Sequence, residues 1–246
     1  MIKLNIDMRS QKESECLPAC LRAVFEFYKI DVLEEEIIEK ISKDSGKLYD
    51  WTFRAGKLAI EKGLQAEVYG NVTQLFDPSW HEISHGELIG KIEKELEYFK
   101  DRDESFIKCP ELATPLCPHK DVAEGTVRYA KALLEFLKYT GTVNFHPISK
   151  EMIVRRLEKG SPVIMMHNAT LLHRMQRYNF DTHRPDDIKG LDWGHAAVIS
   201  GEAGENFLIS DPSGEFYEGK LAYEANKDLV LESILRKDEQ LLVISR

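Results

Sequence analysis

The chain has 246 residues and a formal net charge of −9, from 33 lysines and arginines and 42 aspartates and glutamates. This acidic balance and the lack of a basic run argue against nucleic acid as a general partner. The four cysteines are too few for a disulfide scaffold and fit a reducing compartment. No stretch has the apolar length of a membrane span or a secretory signal, and no linker-like segment interrupts the chain. We therefore expect one cytoplasmic domain over residues 1–246.

The first predicted helix begins at Cys16. Behind it, apolar residues recur at the three- and four-residue spacing of one helix face: Leu17, Cys20, Leu21, Val24, Phe25 and Tyr28. Pro18 supports this start, because proline suits the first turn of a helix and hardly any later position. Unpaired backbone N–H groups and the positive end of the helix dipole would stabilise a thiolate at Cys16, the nucleophilic form of cysteine. Glu15 opposes this weakly, so a reactive Cys16 needs a cationic partner, whereas Cys20 is expected in the core.

The rest of the first 140 residues is predicted to be mainly helical. Apolar periodicity and capping residues predict helices at 31–41, 51–62, 85–100 and 121–139, and alternation predicts a strand at 64–69.

A proline-broken loop between the last two of these helices contains Cys109, Cys117 and His119. Thiolates and imidazoles are zinc ligands. However, the spacing is not that of the usual short pair of ligands, and no fourth ligand is evident. We therefore expect a surface loop there, and neither a metal nor an organic cofactor in the protein.

The last hundred residues are predicted to supply most of the strands. A capped helix at 149–157 precedes an apolar run of strand length at 161–167. The polar and basic stretch 168–192 is either a solvated excursion or a flap over a site. A helix at 228–236 and a strand at 240–245 end the predicted elements.

Two apolar runs on either side of a glycine-rich turn, residues 193–200 and 207–212, predict a hairpin. Centring its turn places His195 opposite Asp211 within one residue, and directly opposed side chains share a face of the ribbon. Asp211 would then hold His195 in the orientation that accepts a proton from Cys16, as the acid does in a nucleophile–base–acid triad.

Together these motifs resemble the papain-like cysteine peptidases, and most of all the bacteriocin-processing, double-glycine-leader group and its stand-alone relatives. The matching residues are Gln11, Cys16 with Ala-Cys-Leu three residues on, the Gly-His-Ala-Ala-Val-Ile-Ser-Gly run around His195, and Ser-Asp-Pro-Ser-Gly at 210–214. The resemblance implies an α+β fold. A helical part, about residues 1–140, would pack on an antiparallel sheet, about residues 141–246.

The resemblance also implies a role for each matching side chain. Cys16 would be the nucleophile, His195 the general base and acid, Asp211 its orienting partner and Gln11 the side chain of the oxyanion hole. The physics agrees for Gln11, because an amide N–H beside the attacked carbonyl stabilises the developing oxyanion, an effect often worth about 3 kcal/mol.

The activity implied is cleavage of a peptide or other acyl substrate through an acyl-enzyme on Cys16. Two other classes stay open. The same residues would serve an acyltransferase with an amine acceptor, and they would also cleave esters or thioesters. A binding module without turnover is the other class, because Leu17 stands where the family usually has glycine and would add bulk beside the thiol. The sequence predicts neither the particular substrate nor the oligomeric state.

Overall fold

The computed structural model describes residues 1–12, 15–42, 50–70, 77–100, 119–179, 181–236 and 240–246. The α-helices within these ranges are α1 (Cys16–Phe27), α2 (Glu34–Ser42), α3 (Trp51–Glu61), α4 (His85–Lys100), α5 (His119–Lys138), α6 (Lys150–Glu158), α7 (Ala169–Leu172) and α8 (Lys227–Leu235). The strands are β1 (Ile2–Lys3), β2 (Gln65–Tyr69), β3 (Thr142–Asn144), β4 (Val163–Asn168), β5 (Tyr178–Asn179), β6 (Arg184–Pro185), β7 (Gly194–Ala203), β8 (Asn206–Ser210), β9 (Ala222–Asn226) and β10 (Leu241–Ser245). The elements predicted from periodicity are confirmed, with small differences at their ends.

Eight of these strands form one sheet. Its order is β3-β2-β10-β4-β7-β8-β9, and β1 pairs with the C-terminal end of β7. The neighbouring strands are antiparallel except β2 and β3, which run parallel. The predicted α+β class, with helices on a large antiparallel sheet, is confirmed. Two of the strands, β1 and β2, come from the part of the chain that was expected to be mainly helical.

Helices cover both faces of the sheet because its central strands are apolar on both sides. On β7, Ala196 and Val198 pack into one core, with the buried side chains of α1, α3 and α5. Ala197 and Ile199 alternate with them and pack into a second core, with α6 and α8. The sheet is therefore the middle layer, and α1 lies directly over β7.

The N-terminal segment runs along β7 toward the loop that carries Gln11. Lys3 pairs with Gly201, and the N–H of Leu4 donates to the carbonyl of Ser200 at 2.7 Å. A Cβ atom at Gly201 would lie 2.3 Å from the carbonyl oxygen of Ile2. The residue at this position must therefore be glycine for β1 to pair so closely with β7.

The hairpin of β7 and β8 has a different register from the predicted one. Its turn is tight, with Ala203 paired to Asn206, and the register shifts between Ile199 and Gly201. The pair nearest the site is Val198 with Ser210. Continuing this register places Asp211 opposite Ala197 and leaves His195 diagonal to it. The predicted opposition of His195 and Asp211 within one residue is therefore wrong, because the turn is centred one residue later than predicted. The bulge offsets part of this displacement.

The stretch 168–192 contains structure of its own. It holds α7 and the two-stranded hairpin of β5 and β6, and Tyr178 exchanges backbone hydrogen bonds with Leu191. Among the described residues, no helix combines the length and the apolar character that crossing a membrane requires.

Candidate active site

Cys16 is the first residue of α1, as predicted, and it is half-buried. Its thiol lies close enough to the side chain of His195, and to the backbones of Ala196 and Leu17, for each of them to influence its pKa through hydrogen bonding. Burial raises the pKa of the Cys16 thiol, but these hydrogen bonds and the charge of His195 outweigh burial and lower that pKa below its ordinary value. The cationic partner that a reactive Cys16 needs is therefore His195.

Glu15, the residue before Cys16, is half-buried. Burial, together with the nearby carboxylates of Glu34 and Glu35, raises the pKa of Glu15 despite the opposing charge of Lys12.

His195 and Asp211 form a buried ion pair. Nε2 of His195 lies 2.7 Å from Oδ1 of Asp211, and the two side chains are 2 % and 0 % exposed. Burial lowers the pKa of His195, but the hydrogen bonds and charges of Asp211 and Cys16 raise it to about 9. Burial raises the pKa of Asp211, and its bond to His195 nevertheless brings that pKa below the ordinary value. Both groups are therefore charged at neutral pH.

The two nitrogens of His195 have separate partners. Nε2 faces Asp211, which leaves Nδ1 as the nitrogen for the thiol of Cys16. The imidazole therefore lies between the carboxylate and the sulfur. In this arrangement Asp211 fixes the ring, and the ring can exchange a proton with Cys16 or with a group bound beside it.

Asp211 accepts hydrogen bonds on both carboxylate oxygens. Besides His195, Oδ1 accepts the N–H of Ser213 at 2.8 Å, and Oδ2 accepts the hydroxyl of Tyr223 at 2.9 Å. The Tyr223 hydroxyl also lies 3.4 Å from Nε2 of His173. These donors satisfy the buried charge and fix the carboxylate plane.

Sequence reasoning missed Tyr223 because β9 was not predicted. Tyr223 pairs with Ile209, two residues before Asp211, so both side chains lie on one face of the sheet. The alternation of Tyr223 and Ala225 with polar residues is the signal of a short strand that could have placed it there.

Gln11 is attached to the site through its backbone. Its N–H donates to the carbonyl of Pro212 at 2.9 Å, which ties the N-terminal loop to the residue after Asp211. The Oε1 atom of Gln11 is buried and has no hydrogen-bond partner among the described residues. The role of this side chain in an oxyanion hole stays a prediction.

Aromatic rings surround His195. The ring of Phe216 meets His195 edge to face, with centroids 4.9 Å apart, and His173 stacks on Phe216 at 5.2 Å. His167, directly across the sheet from His195, meets it edge to face at 5.5 Å. Burial lowers the pKa of His167 to about 3, so this second imidazole stays neutral and does not compete for the proton of His195.

Leu17 is buried, at 1 % exposed, and belongs to the core under α1. Cys16 packs against the same core. That Leu17 adds bulk beside the thiol stays a prediction.

The possible zinc ligands fall mostly beyond what the structure describes. Cys109 and Cys117 lie outside the described residues, and His119 is described only as the first residue of α5. Elsewhere in the described ranges, no group of three or more His, Cys, Asp or Glu side chains is arranged to hold a metal ion.

Comparisons with known proteins add little to this geometry. No protein-family model matches the chain, and no curated protein matches its sequence. Among solved structures, the chain is similar to a protein of Bacillus anthracis provisionally described as a C39-like peptidase. The identity is 14 %, the coverage is 100 % of this chain and 97 % of that chain, and the TM-score is 0.43. A similarity this low decides neither the family nor the activity of this chain.

Proposed function

We propose that this protein is a cysteine peptidase of papain-like architecture, related to the bacteriocin-processing group, that cleaves a peptide bond in the cytoplasm. The observation that carries the proposal is the grouping of three side chains. His195 is paired at 2.7 Å with buried Asp211, and it lowers the pKa of the Cys16 thiol at the start of a helix. Acyl chemistry on cysteine requires a nucleophile next to a base, and an acid that orients the base from its other side.

In the proposed reaction the thiolate of Cys16 attacks the carbonyl carbon of the substrate. The developing oxyanion would be stabilised by the backbone N–H of Cys16 and the side-chain amide of Gln11. The protonated Nδ1 of His195 then gives its proton to the leaving amine as the C–N bond breaks, which leaves a thioester on Cys16. A water molecule gives a proton back to Nδ1 and attacks the thioester, which releases the acid and restores the thiolate–imidazolium pair.

The role of Asp211 is to keep His195 in the productive orientation and charged. The carboxylate holds Nε2–H, so the proton that moves during the reaction is the one on Nδ1. Because Asp211 is itself held by Ser213 and Tyr223, the imidazole has little freedom to turn away from the sulfur.

The proposal is tested with a mixture of peptides prepared from a whole proteome. The peptides are incubated with the protein, and new termini are identified by mass spectrometry. We expect cleavage by the wild type and by Cys20→Ala, a control that removes the other described thiol, and none by Cys16→Ala or His195→Ala. Enrichment of cleavage after two glycines would support the bacteriocin-processing group. Cleavage that persists in Cys16→Ala, or its absence in the wild type, would contradict peptidase activity.

A second measurement separates hydrolysis from acyl transfer. If the thioester on Cys16 is discharged much faster by added amines than by water, the acceptor is an amine and the protein is an acyltransferase. We expect discharge by water to dominate.

A further inference from the structure

A cavity of about 240 Å³ lies between α3 and α5 and shares no lining residue with the proposed active site. Five cationic side chains from three helices line it: Lys40 of α2, Arg54 and Lys57 of α3, and Arg128 and Lys131 of α5. Two carboxylates, Glu61 and Glu135, also line it. The cations outnumber the carboxylates, so the lining has a net positive charge on a protein whose net charge is −9.

The two cations on α3 are held in place by acidic partners. Arg54 pairs with Asp50 at 2.7 Å, and Lys57 pairs with Glu135 at 2.9 Å and with Glu61 at 3.8 Å. Burial works against the charge of Lys57, but the hydrogen bond and the charge of Glu135 raise its pKa. Because both side chains are about three-quarters buried, at 25 % and 26 % exposed, they form a fixed, charged wall.

The other three cations have no such partner. Lys40, Arg128 and Lys131 form no ion pair or hydrogen bond with any residue in the part of the chain that the structure describes. Like charges that converge from separate helices repel each other, and this repulsion is relieved when an anion binds between them. The apolar side chains of Leu58 and Ala132, which also line the cavity, limit the screening of such an interaction by water.

We propose that this cavity binds a small anion that carries phosphate groups. The planar guanidinium of Arg128 offers two parallel N–H donors to a phosphate, and the lysines supply mobile point charges around it. The volume is below that of a site for a drug-sized ligand, so the ligand part inside the cavity is about one or two phosphate groups.

Inorganic pyrophosphate is the first probe, with binding measured by isothermal titration calorimetry at constant ionic strength. We expect saturable binding to the wild type and to Cys16→Ala, because the cavity is separate from the thiol. Arg128→Gln and Lys131→Gln should each weaken binding about 5- to 10-fold through loss of a charge-assisted hydrogen bond. Lys159→Gln is the matched control, because it removes one positive charge from an exposed residue at the C-terminal end of α6. The affinity of this variant for pyrophosphate should stay within 2-fold of wild type.

A second measurement on the wild-type protein does not depend on how the variants fold. Lysines are acetylated with acetic anhydride, with and without pyrophosphate, and the modified sites are quantified by mass spectrometry. We expect pyrophosphate to protect Lys40 and Lys131 at least 3-fold and to leave Lys159 unprotected. Equal protection of all three lysines, no saturable binding to the wild type, or equal weakening in Lys159→Gln would overturn the proposal.

The same titration with ADP identifies the source of the phosphate groups. An affinity for ADP at least 10-fold above that for pyrophosphate would assign the site to nucleotides. An equal or lower affinity would assign it to inorganic pyrophosphate, and either result supports a phosphate site.

Discussion

The hydroxyl of Tyr223 donates a hydrogen bond of 2.9 Å to Oδ2 of Asp211, the carboxylate oxygen that His195 does not use. Tyr223 therefore acts on the candidate site through Asp211, as a positioning residue. Replacing it with phenylalanine leaves a buried carboxylate oxygen without its donor, which typically costs about 1–3 kcal/mol.

We expect Tyr223→Phe to lower kcat by about 10-fold and to move the acid limb of the pH–rate profile upward, because Asp211 loses a bond that lowers its pKa. The profile is measured on any peptide found to be cleaved. Tyr217→Phe is the matched control, because this substitution also removes a tyrosine hydroxyl group. Tyr217 stacks on Tyr223 but is itself exposed. An unchanged profile in Tyr223→Phe would show that the hydroxyl does not influence the site.

The ion pair of His195 and Asp211 predicts how stability changes with pH. The pKa of His195 is raised in the folded protein. The ion pair therefore contributes fully to the free energy of unfolding below the unfolded-state pKa of about 6.5, and this contribution is lost as the pH rises through the folded-state pKa. The lowered pKa of Cys16 has the opposite effect on the free energy of unfolding, because the thiol releases its proton at a lower pH in the folded protein than in the unfolded chain. The ion pair is therefore best measured without the thiol.

In Cys16→Ala, we expect the free energy of unfolding in urea to fall by roughly 1–2 kcal/mol as the pH rises above about 6.5. The double variant Cys16→Ala with Asp211→Asn should show a flatter dependence, because the uncharged amide no longer raises the pKa of His195. Parallel pH curves for the two proteins would mean that Asp211 does not stabilise a charged His195.

Gly201 gives a prediction about the segment that carries Gln11. Its substitution by alanine would place a Cβ atom 2.3 Å from the carbonyl oxygen of Ile2, so β1 must move away from β7. We expect Gly201→Ala to lower the free energy of unfolding by about 2 kcal/mol. Gly86→Ala is the control, because that position on α4 has no neighbour within 4 Å and alanine favours a helix by about 1 kcal/mol.

Thermal or urea unfolding compares the two glycine variants directly. Loss of stability in Gly201→Ala with none in Gly86→Ala would agree with the close pairing of β1. Two equally stable variants would contradict it.

The start of α1 and the contact of His195 with Asp211 could be predicted from the sequence for clear physical reasons. Pro18 marks a first helical turn, and the apolar spacing behind Cys16 fixes which face is buried. His195 and Asp211 were paired through a hairpin whose register was wrong, yet they are in contact. Diagonal residues on one face of a sheet still reach each other when their side chains are long enough.

The parts that could not be predicted depend on contacts between distant elements. The bulge after Ile199 lies where β7 pairs with both β1 and β8. Pairing between separate segments leaves no local pattern in the sequence from which the bulge could be predicted. β3 and β9 are short edge strands, whose few residues give a weak signal. The burial of Leu17 depends on how α1 packs on β7, so it is seen only in the packed structure.

The central claim is a thiolate–imidazolium pair between Cys16 and His195. The most direct measurement is the rate of Cys16 alkylation by iodoacetamide as a function of pH, followed by mass spectrometry in the wild type and in His195→Ala. The pair predicts a reactive thiolate in the wild type well below the ordinary cysteine pKa of about 8.5, and its loss in the variant. A wild-type Cys16 that reacts like an ordinary thiol, or that reacts equally in both proteins, would contradict the pair and the activity proposed from it.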